Sequence, residues 1–174
     1  LAGGAAAKRL VDAVFHTIIL ERKELPRHKI CSGILSPRGY RFLRENFGEP
    51  PAEAFHEPKY VRGVNFLFQN GLQLPMDFSE GPTPHIYRKF ADYHVVKQSR
   101  AEIHERTEFL DFSRENGDVL IQARRGGEPV TYRARYLIST DGPRSAVVTK
   151  LYPDFRESIY WFVVGQKYYK GEID

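Results

Sequence analysis

The sequence predicts an α/β fold that combines a parallel sheet with an antiparallel β-meander. Three observations predict it. A small-residue helix at the N-terminus leads at once into an apolar run, Thr17-Ile18-Ile19-Leu20, that ends in a carboxylate, Glu21. Continuous apolar runs of this kind belong to parallel strands covered on both faces. Further on, three β-prone segments are separated by Asn116-Gly117 and Gly126-Gly127, two strong turn signals. Finally, the run Tyr136-Leu137-Ile138-Ser139 stops at Thr140-Asp141-Gly142-Pro143. A strand ending in Asp-Gly before a helix start puts a carboxylate and backbone N–H groups at a strand's C-terminal edge, where open α/β sheets bind ligands.

Taken in order, Leu1-Ala2-Gly3-Gly4-Ala5-Ala6-Ala7 favours a helix that runs through about Val14 and can lie close against a sheet. Helix, tight connection, strand and acid make the second half of a β-α-β unit. In such a unit Gly3 is the last glycine of a Gly-x-Gly-x-x-Gly fingerprint, where the missing side chain permits close packing. Glu21, 18 residues later, accepts hydrogen bonds from a ribose. The first strand and its glycine turn are expected before residue 1. An acid after a strand is also common in ordinary loops, so Glu21 by itself leaves both readings open.

A Pro/Gly-punctuated loop with the only cysteine, Cys31, follows, and Ser36-Pro37 then starts a helix that ends at Gly48 and Pro50-Pro51. Arg38, Arg41 and Arg44 recur every three residues along it, the pattern of a solvated face. Residues 60–68 and 72–78 flank Gln69-Asn70-Gly71 and predict a hairpin, with a proline-rich loop over residues 75–84. Residues 86–96 predict a helix with Phe90, Tyr93 and either Val95 or Val96 toward the core. Arg88 sits at its start, an unfavourable place for a cation beside the helix dipole. It is either an exposed charge or a residue with another task. Residues 109–112, 119–123 and 130–136 form the meander, and residues 159–169 read as an aromatic strand. A strand so close to the end of the sequence, like a helix with no strand before it, leads us to expect a fragment.

Composition narrows the function classes. The 41% hydrophobic and 28% charged fractions suit a globular chain, and no apolar run approaches the roughly 20 residues of a membrane span. A peripheral membrane contact stays open. The net charge of +4 and pI of about 9.2 are spread without blocks of like charge, which argues against nucleic-acid binding and suits a phosphate-bearing small molecule. One cysteine excludes a disulfide framework and a Cys-rich zinc site, and a reducing, cytoplasmic compartment is the simplest expectation. The six histidines show no metal-ligand spacing. No Gly-x-Ser-x-Gly elbow or Gly-x4-Gly-Lys-Ser/Thr loop is present.

With these pieces in order, the chain resembles the p-hydroxybenzoate-hydroxylase-like flavoproteins, and within them the geranylgeranyl reductase family. Three segments carry the likeness. Residues 1–22 match the family's Gly-x-Gly-Pro-Ala-Gly helix and Leu-Glu-Arg strand end. Residues 26–37, Pro-Arg-His-Lys-Ile-Cys-Ser-Gly-Ile-Leu-Ser-Pro, match its cysteine-bearing loop, and residues 136–147 match its Gly-Ala-Asp-Gly-x-x-Ser-x-Val motif. Leu1 stands where the family usually has proline, Ser139-Thr140 replace Gly-Ala, and Val148 replaces an arginine.

The resemblance implies a Rossmann-like FAD-binding domain over residues 1–157, lacking its first strand and interrupted by a hairpin insertion at about 58–84. A β-rich substrate domain would begin at residues 158–174. It implies that Gly3 belongs to the FAD-binding fingerprint, that Glu21 binds the adenosine ribose of FAD with Arg22 beside it, and that Arg88 approaches the pyrophosphate. Asp141 and Gly142 would meet the ribityl or pyrophosphate region, and Cys31, Ser32 and Gly33 would lie along the isoalloxazine. Cys31 is then a cofactor contact more than a catalyst, because Lys29 is its only evident cationic neighbour in sequence. The implied activity is hydride delivery from reduced FAD to a carbon–carbon double bond of an isoprenoid or prenyl lipid, with NAD(P)H as a candidate electron donor. A flavin-dependent aromatic monooxygenase and a noncatalytic FAD-binding or interaction module are the alternatives. No catalytic proton donor is identified.

Overall fold

The computed structural model describes residues 1–167, which fall into two compact units. The first comprises Leu1–Leu25 and Val96–Val164, and the second comprises Pro26–Val95 with the stretch from Gly165.

The first unit opens with α1 (Ala2–Asp12), an alanine-rich helix that buries Gly4 and Ala7 and carries a Lys8–Asp12 ion pair at 2.8 Å. A tight turn leads to β1 (Ile18–Leu20), which pairs in parallel with β6 (Glu102–His104) in the register Ile18↔Glu102, Ile19↔Ile103, Leu20↔His104. The parallel strand is therefore where the apolar run predicts it. Its faces are less covered than the run suggests, since Ile18 is exposed and Ile19 and Leu20 are half-buried. A meander of β7 (Thr107–Glu115), β8 (Asp118–Arg125) and β9 (Glu128–Ala134) follows in the order β7-β8-β9. Asn116 and Gly117 both take positive φ at its first turn, as a two-residue hairpin with the right twist requires. Val119, Ile121 and Ala123 alternate along the central strand and are buried.

Residues 136–139 form no strand, contrary to the sequence expectation. No strand pairs with them among the described residues, so their backbone N–H and C=O groups have no sheet ladder to join. Tyr136 and Ile138 are exposed accordingly. The short helix α4 (Ala146–Leu151) follows, capped by Ser145, whose hydroxyl accepts from the Val148 amide. It packs on β7, where Lys150 bonds the Asp111 carboxylate and the Phe112 carbonyl. The strand expected over residues 159–169 is not formed as far as Lys167, and its last two residues lie outside the described residues.

The second unit holds α2 (Pro37–Phe47), β2 (Phe55–Val61), β3 (Gly63–Leu67), β4 (Gln73–Asp77), β5 (Thr83–Ile86) and the start of α3 (Arg88–Gln98). Ser36 caps α2 by accepting the Gly39 amide, and Pro37 opens its first turn, as read from the sequence. The β3–β4 hairpin turns at Asn70-Gly71. The proline-rich loop is shorter than expected. Pro75 lies inside β4 and Pro84 inside β5, because each sits at a two-stranded edge where a missing N–H costs little. Ala54, Ile86 and Ala91 form the core with Leu35, Phe55 and Phe90 around them, and Leu43, Phe47 and Val95 are also buried.

Candidate functional site

The nine residues singled out by sequence divide between the units. Gly3, Glu21, Arg22, Asp141 and Gly142 belong to the first, and Cys31, Ser32, Gly33 and Arg88 to the second.

In the first unit, Glu21 sits one residue past β1. Its amide donates to the His104 carbonyl at 3.0 Å, and its own carbonyl accepts the Thr107 amide at 2.9 Å. The backbone is thus fixed at the C-terminal edge of the parallel pair. The Glu21 carboxylate accepts the Lys23 amide at 3.0 Å and is half-buried, while Arg22 is exposed. An Arg106–Glu24 ion pair at 2.6 Å ties the following residues to the turn before β7.

Gly3 and the Asp141–Gly142 loop meet. A Cβ on Gly3 would fall 2.7 Å from the Thr140 Oγ1, closer than real atoms pack, so the missing side chain at residue 3 lets the start of α1 approach this loop with Thr140 as it stands. Gly142 adopts φ +90°, a left-handed conformation that glycine takes without strain. The Asp141 carboxylate is engaged at both oxygens. Ser139 Oγ donates to Oδ1 at 2.5 Å, and the Ala146 amide donates to Oδ2 at 2.9 Å. Partial burial works against ionisation of Asp141, but hydrogen bonds from Ser139, Ser145 and the Ala146 amide outweigh it and hold the carboxyl below its usual range.

In the second unit, the cysteine loop is zipped onto β5. The Ile86 amide donates to the Gly33 carbonyl at 2.8 Å, the Leu35 amide to the Pro84 carbonyl at 3.0 Å, and Thr83 Oγ1 to the Leu35 carbonyl. Gly33, at φ +79°, leaves no room for a side chain, since a Cβ would meet the Ile86 carbonyl oxygen at 2.4 Å. The backbone of Cys31 is held by the Gln166 amide group, which accepts from its N–H at 3.2 Å and donates to its C=O at 2.8 Å.

Cys31 and Arg88 influence each other's ionisation. Burial raises the thiol pKa, but the Gly33 amide, the Arg88 guanidinium and Ser32 together bring it below the ordinary value. The cationic neighbour is therefore Arg88, and the sequence expectation of Lys29 is corrected. Lys29 is its neighbour along the chain, whereas β5 and the turn into α3 bring Arg88 from 57 positions away. Arg88 is not an exposed charge either. It is largely buried and forks onto the buried Asp92, one helical turn on, at 2.6 and 3.0 Å. Burial opposes its charge, and Asp92 and Cys31 more than compensate.

Several groups escaped the sequence reading. Gln166 is one. His85 is another: its Nε2 donates to the Ser32 carbonyl at 3.0 Å, which leaves Nδ1 buried and without a hydrogen-bond partner among the described residues. His56 stacks on His85 at 4.0 Å, and its pKa is lowered by burial and then by His85. In the first unit, the Glu102 carboxylate accepts from His104 at 2.6 Å and His16 at 3.1 Å, and His104 Nδ1 accepts the Tyr132 hydroxyl at 2.7 Å. Those hydrogen bonds hold Glu102 below the usual carboxylate range. Only the i, i+2 spacing of Glu102 and His104 on a strand was available to signal this cluster. Among the described residues, no His/Cys/Asp/Glu group is arranged to hold a metal ion, and no helix is long and apolar enough to cross a membrane. A surface groove of about 580 Å³ beside Tyr40 and Tyr60 is lined by none of the nine residues.

No family model matches the chain. Its fold is that of solved flavoenzymes. A variant of the halogenase PltM in complex with FAD matches with a TM-score of 0.65 and 17% identity, over 86% of this chain and 34% of that one. The p-nitrophenol 4-monooxygenase PnpA from Pseudomonas putida matches with a TM-score of 0.64 and 16% identity, over 86% of this chain and 40% of that one. A geranylgeranyl bacteriochlorophyll reductase-like protein from Thermoplasma acidophilum matches with a TM-score of 0.59 and 18% identity, over 75% of this chain and 34% of that one. At these identities the likeness establishes the α/β fold, with its mixed parallel and antiparallel sheets, and nothing finer. The chain spans about a third of the length of such structures, between 29% and 40%. Halogenases, a monooxygenase and a reductase-like protein share the architecture, so it does not single out the reductase family that the sequence resembles.

Proposed function

We propose that this chain is an FAD-binding portion of a flavin-dependent oxidoreductase of the monooxygenase and halogenase type. The observation that carries the reading is the first unit's arrangement: a small-residue helix packed without a side chain at Gly3 against the Asp141–Gly142 loop, beside a parallel strand pair that ends in Glu21. Halogenases and a monooxygenase with the same fold support it. The residues fit the cofactor in chemistry. Glu21 is a fixed acceptor suited to ribose hydroxyls, with Arg22 beside it, and Gly3 opens the helix entry of the cofactor site. Asp141 and Gly142 supply a shaped backbone for the ribityl and phosphate region. Cofactor contact is likewise proposed for Cys31, Ser32, Gly33 and Arg88, and the buried Nδ1 of His85 is an acceptor of the kind a bound ligand satisfies. When bound, the flavin supplies the electron-transfer chemistry, with NAD(P)H as the proposed donor.

The reductase reading stays as a second proposal, because the Pro26–Pro37 loop with Cys31 follows the geranylgeranyl reductase pattern. Its substrate would be an isoprenoid or prenyl lipid, held mostly by a substrate domain that we propose begins near Ser158. The test uses the protein from the complete open reading frame. Bound flavin in the visible spectrum is expected, together with oxygen uptake coupled to oxidation or halogenation of an aromatic substrate. Anaerobic reduction of a prenyl double bond without oxygen uptake would replace the first reading with the second. A folded, colourless protein that does not take up added FAD would end both.

A further inference from the structure

We propose that Ser139 is the positioning residue of the FAD site: its hydroxyl fixes the Asp141 carboxylate, and through it the shape of the Asp141–Gly142 loop. The inference rests on the FAD reading above. Ser139 Oγ donates to Asp141 Oδ1 at 2.5 Å and lies 3.0 Å from Ser145 Oγ. Its one proton is spent on the carboxylate, so towards Ser145 it can only accept, and the Ser145 proton is shared between Ser139 and the Asp141 carboxylate. Ser145 in turn accepts the Val148 amide at 3.0 Å. The Val148 amide, Ser145, Ser139 and Asp141 thus form one hydrogen-bonded network that ends on the carboxylate. Ser145 is buried, which anchors the network's middle.

The consequence concerns what Asp141 does. Resemblance assigns it a direct contact with the flavin's ribityl or pyrophosphate part, yet both of its oxygens are already engaged within the loop. Holding the loop is therefore one task of Asp141, and each oxygen keeps a lone pair for a ligand. Gly142 turns that backbone through φ +90°, and Thr140, between Ser139 and Asp141, abuts Gly3. The loop is therefore held from two sides, by the hydroxyl chain and by the start of α1. The groups that set the ionisation of Asp141 are the Ser139 and Ser145 hydroxyls and the Ala146 and Asp141 amides, with burial opposing them. Ser139 occupies a position where the resembling family usually has glycine, so a glycine-bearing relative lacks this relay.

The experiment measures FAD binding to the full-length apoprotein by flavin fluorescence across the acid range. If the wild type binds no FAD, the FAD reading fails. If it does, Ser139→Ala is expected to weaken binding about threefold to tenfold, the effect of one exposed charge-assisted hydrogen bond. It is also expected to move the acid midpoint of flavin release to higher pH, since the carboxyl loses a bond that favours its charged form. Ser139→Thr keeps the hydroxyl and restores both values. Ser139→Cys, a weak donor of similar size, serves if the alanine variant does not fold. Unchanged affinity with an unchanged midpoint overturns the proposal, and so does weaker binding with an unmoved midpoint.

Discussion

Gly3→Ala is the sharpest probe of the helix–loop contact, and its size can be worked from two opposed effects. Alanine is better than glycine in a helix by up to about 1 kcal/mol. Against this, the new Cβ would lie 2.7 Å from the Thr140 Oγ1 and 3.7 Å from its Cβ, so the Thr140 side chain must turn away or α1 or the loop must move. Overpacking of that kind costs about 1–3 kcal/mol. The single variant is therefore expected to be neutral to about 2 kcal/mol less stable. In a Thr140→Ala background the obstructing oxygen is gone, and the same change becomes stabilising by up to about 1 kcal/mol. Urea unfolding of the four proteins closes a double-mutant cycle, with stability read from the midpoints at constant m. The expected coupling is about 1–3 kcal/mol, because only the overpacking depends on Thr140. A coupling under about 0.5 kcal/mol, the scatter of independent sites, would refute the contact.

Three further outcomes are expected. Val14 holds a left-handed conformation, φ +66°, after α1, where its amide bonds the Val11 carbonyl and the Phe15 amide the Leu10 carbonyl, both at 2.9 Å, and its side chain is 93% exposed. Val14→Gly relieves about 1–2 kcal/mol of backbone strain and loses about 0.5–1 in the unfolded chain, so a melting temperature between unchanged and about 5 °C higher is expected, and a lower one contradicts the assignment. Because Arg88 and the Gly33 amide hold the Cys31 thiol below its ordinary range, alkylation should reach half its plateau rate at a pH below the roughly 8.5 of a free thiol. A midpoint at or above that of free cysteine would remove Arg88 as its partner. On the β3–β4 hairpin, Val64, Phe66 and Phe68 share a face with Met76, Leu74 and Leu72, and residues 63–76 carry no charge. Phe66→Lys with Leu74→Glu, a cross-strand pair, should raise soluble yield and lower dye binding, and no change would mean that this face is not the chain's exposed apolar patch.

How much of this was legible in the sequence depends on how local each signal was. Short-range chemistry was readable: Ser36-Pro37 for the start of α2, Asn-Gly for two hairpin turns, and the small residues of α1 for a helix that lies close to its neighbour. The parallel role of residues 18–20 was readable too, although the partner, β6, is more than 80 residues away. The run at 136–139 failed for the complementary reason. Composition tells that a segment can be a strand, but a strand also needs a ladder partner, and none pairs with it among the described residues. Site residues follow the same rule. Gly3 and Gly142 were identified because glycine's freedom is a property of the residue itself. Gln166 and His85 were missed because an amide and an imidazole have no fixed use until the fold brings them to the Cys31 loop.

Arg88 shows where residue type stops being informative. A guanidinium near a helix start suggests a positive site for phosphate, but here Asp92 offsets its charge one turn along. The pair leaves little net charge to attract an anion. What remains is direction. Arginine carries five N–H donors in a fixed fork, two of them go to Asp92, and the planar group still has others to point elsewhere. Those remaining donors let Arg88 join the Gly33 amide in favouring the thiolate of Cys31 while already ion-paired. Lysine, a point charge that Asp92 would neutralise, could not take over this task, so the arginine at position 88 is specified by geometry as much as by charge.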